Sequence, residues 1–169
     1  MTSNIGKLGI KNIEITSASR NVRVPFFVPL FNHVIRSFLR IGIPMGPIVL
    51  LTVKGRKTGK NRRNPVGLFN YQGHQYIFST FGQVNWVQNV RAAGQATIHK
   101  RWHRQTVTLV ELSLEQAAPI LKEVVAPMVS AGLAGKLFGR HFEAPPSSPL
   151  DEFVGEAKRH PVFEIREAN

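Results

Sequence analysis

Asn64-Pro65-Val66-Gly67-Leu68-Phe69-Asn70-Tyr71 and His74-Gln75-Tyr76-Ile77-Phe78-Ser79-Thr80 are two strand-like runs separated only by Gln72-Gly73. That dipeptide suits a tight hairpin, because glycine accepts the positive φ such a turn requires. Upstream, Ile48-Val49-Leu50-Leu51-Thr52-Val53 is a short, β-branched apolar run of the kind found in buried strands. Downstream, residues 85–93 carry Trp86, Val87 and Val90 on one helical side and are stopped by Gly94. Residues 96–99 and 105–112 form a second hairpin across the basic segment 100–104. Ser113 is suited to cap a helix bearing Leu114, Ala117, Ala118, Leu121, Val124 and Val125, with Gln116 at the capping-box position and Pro119 and Pro127 weakening its interior. Residues 143–149, rich in proline and serine, read as loop, 150–158 as a short helix, and 160–165 as a closing alternating strand.

Before the first strand, apolar residues recur at helical spacing between Pro29 and Gly42, and Gly42, Pro44, Gly46 and Pro47 break that helix. Residues 1–24 lack a sustained period and are expected to form a flexible N-terminal arm, leaving 25–169 as one domain. Hairpins dominate and no βαβ repeat is present, so the expected class is α+β with a mainly antiparallel sheet.

With 169 residues and 43% apolar content, one core is the default. No stretch reaches about 18 uninterrupted apolar residues, and no secretory leader is visible, so a cytoplasmic location is expected. Zero cysteines exclude disulfides, thiolate catalysis and cysteine-bound metal clusters. Redox chemistry would therefore need a cofactor. His99 and His103 flank one turn without an acidic neighbour, and Ser147 and Ser148 lack a nucleophile-elbow pattern, so neither a metal centre nor a serine hydrolase is expected.

The formal net charge of +12 biases the chain toward polyanions. Lys54, Arg56, Lys57, Lys60, Arg62 and Arg63 fall within ten residues, and Lys100, Arg101 and Arg104 form a second set. The segment Lys54-Gly55-Arg56-Lys57-Thr58-Gly59-Lys60 superficially resembles a Walker A loop. However, its glycine spacing is one residue short, Asn61 follows the lysine, and the next segment reads as a strand rather than a helix. What remains suits an anion: glycine backbone N–H groups that a ligand can approach, the Thr58 hydroxyl, and charge-assisted donors from arginine and lysine. No aromatic residue interrupts this turn and no nucleic-acid motif is present, so nucleic acid is not the expected polyanion.

The stretch 51–66, Leu-Thr-Val-Lys-Gly-Arg-Lys-Thr-Gly-Lys-Asn-Arg-Arg-Asn-Pro-Val, resembles the signature of the deazaflavin (F420)-dependent nitroreductase family. Trp86-Val87-Gln88-Asn89-Val90-Arg91-Ala92 and His160-Pro161-Val162-Phe163 extend the resemblance. It implies a six-stranded split β-barrel of the FMN-binding type that holds coenzyme F420, a hydride carrier with a phosphate and an oligoglutamate tail. In that reading Arg56, Lys57 and Arg62 hold the phosphate and tail, assisted by Thr58 and Gly59. Asn64, Pro65 and Val66 line the deazaflavin ring, Thr80 stands near its reacting face as the catalytic candidate, and Trp86 and Asn89 close the site. Trp86 serves equally well as core filling, and Thr80 as an ordinary strand-end residue.

Departures from the family pattern restrict the activity. Asn61 replaces a usual proline, Phe81 stands where nitroimidazole-reducing relatives often carry lysine, the segment from Phe81 to Trp86 is shorter, and C-terminal tyrosines are missing. Nitroimidazole reduction is therefore not expected. The expectation is an F420H2-dependent reductase acting on a small hydrophobic electrophile such as a quinone, enone or unsaturated lipid, as a monomer or homodimer. The apolar run 24–31 resembles a branch associated with fatty acids and membranes. The alternatives are a lipid-binding barrel at the inner face of an anionic membrane, or FMN, FAD or haem in the cofactor groove.

Overall fold

The computed structural model describes residues 47–100, 102–130 and 141–168. The expected arm over 1–24, the expected helix between Pro29 and Gly42, and the glycine-rich stretch 132–139 lie outside those residues.

Six strands form a closed, wholly antiparallel barrel in the order β1-β2-β3-β6-β5-β4. They are β1 (Ile48–Lys54), β2 (Asn61–Tyr71), β3 (His74–Phe78), β4 (Gln95–Lys100), β5 (His103–Glu111) and β6 (Val162–Glu167). The β2–β3 hairpin turns where expected, with φ of 48° at Gln72 and 82° at Gly73. Closure comes from β1 pairing with β4, with Leu50 opposite His99 and Thr52 opposite Thr97.

Strand limits shift by a few residues, for local reasons. β2 begins at Asn61 rather than Asn64, since Asn61, Arg62 and Arg63 pair with Lys54, Val53 and Thr52 and leave their charges in solvent. β3 ends at Phe78 rather than Thr80, because the Ser79 hydroxyl donates to the Gly82 carbonyl at 2.6 Å and turns the chain out of the sheet.

Alternation along β1 sends Val49, Leu51 and Val53 inward, where they meet Val66, Ile77, Ile98, Val107 and Phe163. Helix α1 (Asn85–Ala93), capped by Gly94, plugs this interior with Trp86, Val87 and Val90. Each such side chain contributes on the order of 1.5–3 kcal/mol by leaving water. A second cluster lies outside the barrel, where Phe69, Tyr76 and Phe78 pack against α2 (Leu114–Ile120) and α4 (Leu150–Arg159).

Ser113 caps α2 with the expected capping box, each of Ser113 and Gln116 bonding the other's backbone N–H. Pro119 is accommodated inside α2. A π turn (Leu121–Val125) then leads into α3 (Ala126–Ser130). It lies just before Pro127, whose missing N–H removes a bond that would continue the α register.

Candidate functional site

The basic stretch forms the turn between β1 and β2. The Gly55 N–H donates to the Lys60 carbonyl at 2.9 Å, and the Thr58 and Gly59 N–H groups donate to the Gly55 carbonyl at 3.2 and 2.8 Å. Gly55 is buried, and a Cβ there would meet the Lys60 oxygen at 3.2 Å and the Thr58 hydroxyl at 3.4 Å. Gly59 has φ of +65°, a conformation that side chains resist. These glycines thus allow a tight, self-bonded turn. The N–H groups of Gly55, Arg56, Thr58 and Gly59 are all occupied by protein acceptors, so the turn offers an anion chiefly the exposed side chains of Lys57, Thr58, Lys60, Arg62 and Arg63.

The turn is braced from outside. Asn89, 6% exposed on α1, accepts at Oδ1 from the Arg56 backbone N–H and from Arg56 Nη1, both at 3.1 Å. Arg56 also reaches the carbonyl and the side-chain oxygen of Asn85, each at 3.5 Å. One arginine therefore joins the turn to the start of α1, bringing the two stretches singled out in the sequence into contact. Asn85 was not picked out from sequence. Its spacing of four from Asn89, one helical turn on the same face, is the signal that marks it.

The remaining candidates sit on different faces. Asn64 opposes the inward Leu51, and Val66, two residues on, is 5% exposed in the barrel core; Pro65 between them faces outward. Among the described residues the buried Asn64 Nδ2 has no hydrogen-bond partner, a donor that a ligand carbonyl would satisfy. Trp86 packs on Phe163 with ring centroids 5.8 Å apart, inside the barrel cluster. Thr80 is half-buried in the loop between β3 and α1.

The stretch of chain that carries the turn has formal charge of one sign. No Asp or Glu occurs between Glu14 and Glu111, a span that includes the whole turn and β1 to β4. On the outer face, His99 bonds the Thr52 hydroxyl at 3.0 Å, and its pKa is lowered by burial and then by Arg104 and Arg63. A phosphate or carboxylate placed against the β1–β2 turn meets the exposed Lys57, Lys60, Arg62 and Arg63 and the Thr58 hydroxyl. This donor set, together with the unpaired Asn64 amide, fits a cofactor that combines a phosphate, acidic groups and a ring with carbonyl acceptors.

The model of one protein family, described as F420H(2)-dependent quinone reductase, matches residues 36–132. Among solved structures, a chain described as a domain-swapped dimer is 19% identical, with 79% of this chain and 94% of that one covered and a TM-score of 0.48. A NimC/NimA family protein from Clostridium acetobutylicum is 14% identical over 79% of this chain and 78% of its own, with a TM-score of 0.46. An F420-H2 dependent reductase is 20% identical over 71% and 94%, with a TM-score of 0.38. No curated protein matches the sequence.

Proposed function

Because the chain belongs to the F420H(2)-dependent quinone reductase family, and is thus a reductase that uses coenzyme F420, we propose that it passes a hydride to a small hydrophobic electrophile of the quinone, enone or unsaturated-lipid type. The observation that carries the reading is the basic turn braced onto α1 through Arg56 and Asn89, in a stretch of chain without a single acid. In this reading Lys57, Lys60 and Arg62 hold the phosphate and tail by charge-assisted bonds, and Arg56 orients the turn while lending its charge. Asn64 donates to the ring through its unpaired amide, and Thr80 stands beside the reacting face. The reduced deazaflavin supplies the hydride when bound; the protein supplies position, electrostatics and exclusion of water.

The test is a titration with F420 followed by tryptophan fluorescence, with FMN and FAD in parallel, and then oxidation of F420H2 by a soluble quinone and by an enone. Saturable F420 binding with quinone turnover is the expected result. Turnover with neither electrophile would overturn the substrate class, and tighter binding of FMN or FAD than of F420 would overturn the site reading.

A second reading, peripheral contact of a cytoplasmic protein with an anionic membrane, is favoured by one feature. Trp102 is 76% exposed in the β4–β5 turn beside Lys100 and His103. Co-sedimentation with anionic but not zwitterionic vesicles, lost in Trp102→Ala, is the outcome it requires.

A further inference from the structure

A buried charge cluster lies at the end of α4, outside the turn. His160 is 3% exposed and Glu156 is fully buried. His160 Nδ1 stands 2.9 Å from the Ser79 carbonyl oxygen, and Nε2 stands 2.9 Å from the His141 carbonyl oxygen. Carbonyl oxygens only accept, so both ring nitrogens must carry hydrogen for both bonds to exist. A neutral imidazole has one N–H and would turn its other lone pair against the opposing oxygen. Two further contacts suit a cationic ring. Glu156 Oε2 is 3.3 Å from Nε2, and the Phe142 ring stacks on the imidazole at 4.2 Å and 6°.

We infer that His160 is held as an imidazolium and is the positioning residue for the loop that carries Thr80, an inference that rests on the reading of Thr80 as a neighbour of the cofactor ring. Ser79 is fixed at every polar group it has. Its N–H donates to the Pro161 carbonyl at 3.0 Å, its hydroxyl to Gly82, and its carbonyl accepts from His160. Thr80 is the next residue and takes its place from that anchor. The other carbonyl held by His160 belongs to His141, whose ring meets Phe81 edge-on at 5.0 Å. One cation therefore pins both backbones that flank Thr80 and Phe81. Among the described residues, the charged and titratable groups on the elements packed against it are Glu156 and Arg159 from α4, and Glu143 and His141 from the segment before α4. The end of β3 presents the neutral Ser79 carbonyl.

The first test needs no cofactor. In the full chain labelled with 15N-histidine, NMR at neutral pH should show both His160 ring nitrogens bonded to hydrogen and protected from exchange. One protonated and one bare nitrogen would overturn the inference. The second test compares wild type with His160→Gln. We expect kcat for F420H2 oxidation to fall about tenfold to a hundredfold, the scale of a small misplacement at a reacting centre. The F420 Kd should stay within about twofold, since the anion-holding turn is untouched. Unchanged kcat would overturn the positioning role, and the wild-type NMR result stands as a test even where the variant does not fold. Thr80→Ala separates the premises: normal turnover there together with low turnover in His160→Gln removes the Thr80 reading and leaves His160 as an anchor of the loop.

Discussion

Replacing Glu156 by glutamine should remove about 3 kcal/mol of stability at neutral pH, and that loss should disappear in acid. The carboxylate accepts from the Glu143 and Ala144 N–H groups at 2.7 and 2.8 Å and from Arg159 at 2.8 Å, all at one oxygen, while the other faces His160. Burial alone pushes the carboxyl pKa up. The bonds from His160, Ala144, Arg159 and Glu143 outweigh burial and hold the pKa at about 2, against an ordinary 4.5. The difference of about 2.5 units, at about 1.36 kcal/mol per unit, gives about 3.4 kcal/mol. This lies within the roughly 3–5 kcal/mol expected when one partner of a buried charge pair is removed. Because the folded pKa lies below the unfolded one, the stabilisation is complete above about pH 4.5 and is lost as pH falls toward about 2. Urea unfolding of both proteins between neutral pH and pH 2 measures it, since other carboxylates titrate alike in each and cancel in the difference. A gap under about 1 kcal/mol at pH 7, or one that does not narrow in acid, would refute the reasoning.

Further expectations concern the turn. Arg56→Ala should lose both stability, by about 1 kcal/mol through the Nη1 bond to Asn89, and F420 affinity, whereas the exposed Lys57→Ala should lose about tenfold in affinity with an unchanged unfolding midpoint; calorimetry and F420 titration on the two variants separate these roles. Asn64→Ala removes a buried donor that lacks a partner, so its unfolding free energy should stay within about 0.5 kcal/mol of wild type or rise, while F420 affinity falls; a large loss of stability in chemical denaturation would show that the amide is satisfied within the protein. Raising salt from about 0.1 M to about 1 M shortens the screening length from about 10 Å to about 3 Å and should weaken F420 binding about tenfold; a Kd independent of salt would deny the exposed cations their role.

What the sequence made legible was local. Gln72-Gly73 gave the hairpin, Gly94 the end of α1, and Ser113 with Gln116 the start of α2, because in each case a few adjacent residues determine the geometry. The fold class followed from counting hairpins. Barrel closure was legible only through family resemblance, since the pairing of Thr52 with Thr97 joins distant segments by backbone bonds that leave no pattern in either strand. The site divides in the same way. The glycines and cations of the turn could be read directly, but the bond from Arg56 to Asn89 depends on how α1 lies across the barrel. Glu156 was passed over because a carboxylate in an amphipathic helix is ordinarily taken for its solvated face. Only the tertiary structure shows three donors converging on one oxygen and His160 facing the other.

The separation of charge along the chain links these two centres. A net charge of +12 spread evenly would repel itself over the whole surface and favour no site. Instead, the chain from β1 to the end of β4 carries cations and no acids, whereas Glu143, Glu156 and Glu164 lie late in the sequence and pair mainly with their neighbours Arg159, His160 and Arg166, Glu164 also reaching back to His74 of β3. In the late segment charge is used structurally: Glu143, Glu156 and Glu164 each have a cation, and Glu156 and His160 lie under the surface. In the early segment the cations of the turn stay in solvent with no acid nearby in sequence, which leaves their field available to an incoming anion. The loop from Ser79 to Gly82 lies where the two regimes meet. It leads into the helix that Arg56 braces, and it is anchored from behind by His160, so the late segment holds the loop at one end of α1 while Arg56 ties the other side of that helix to the turn.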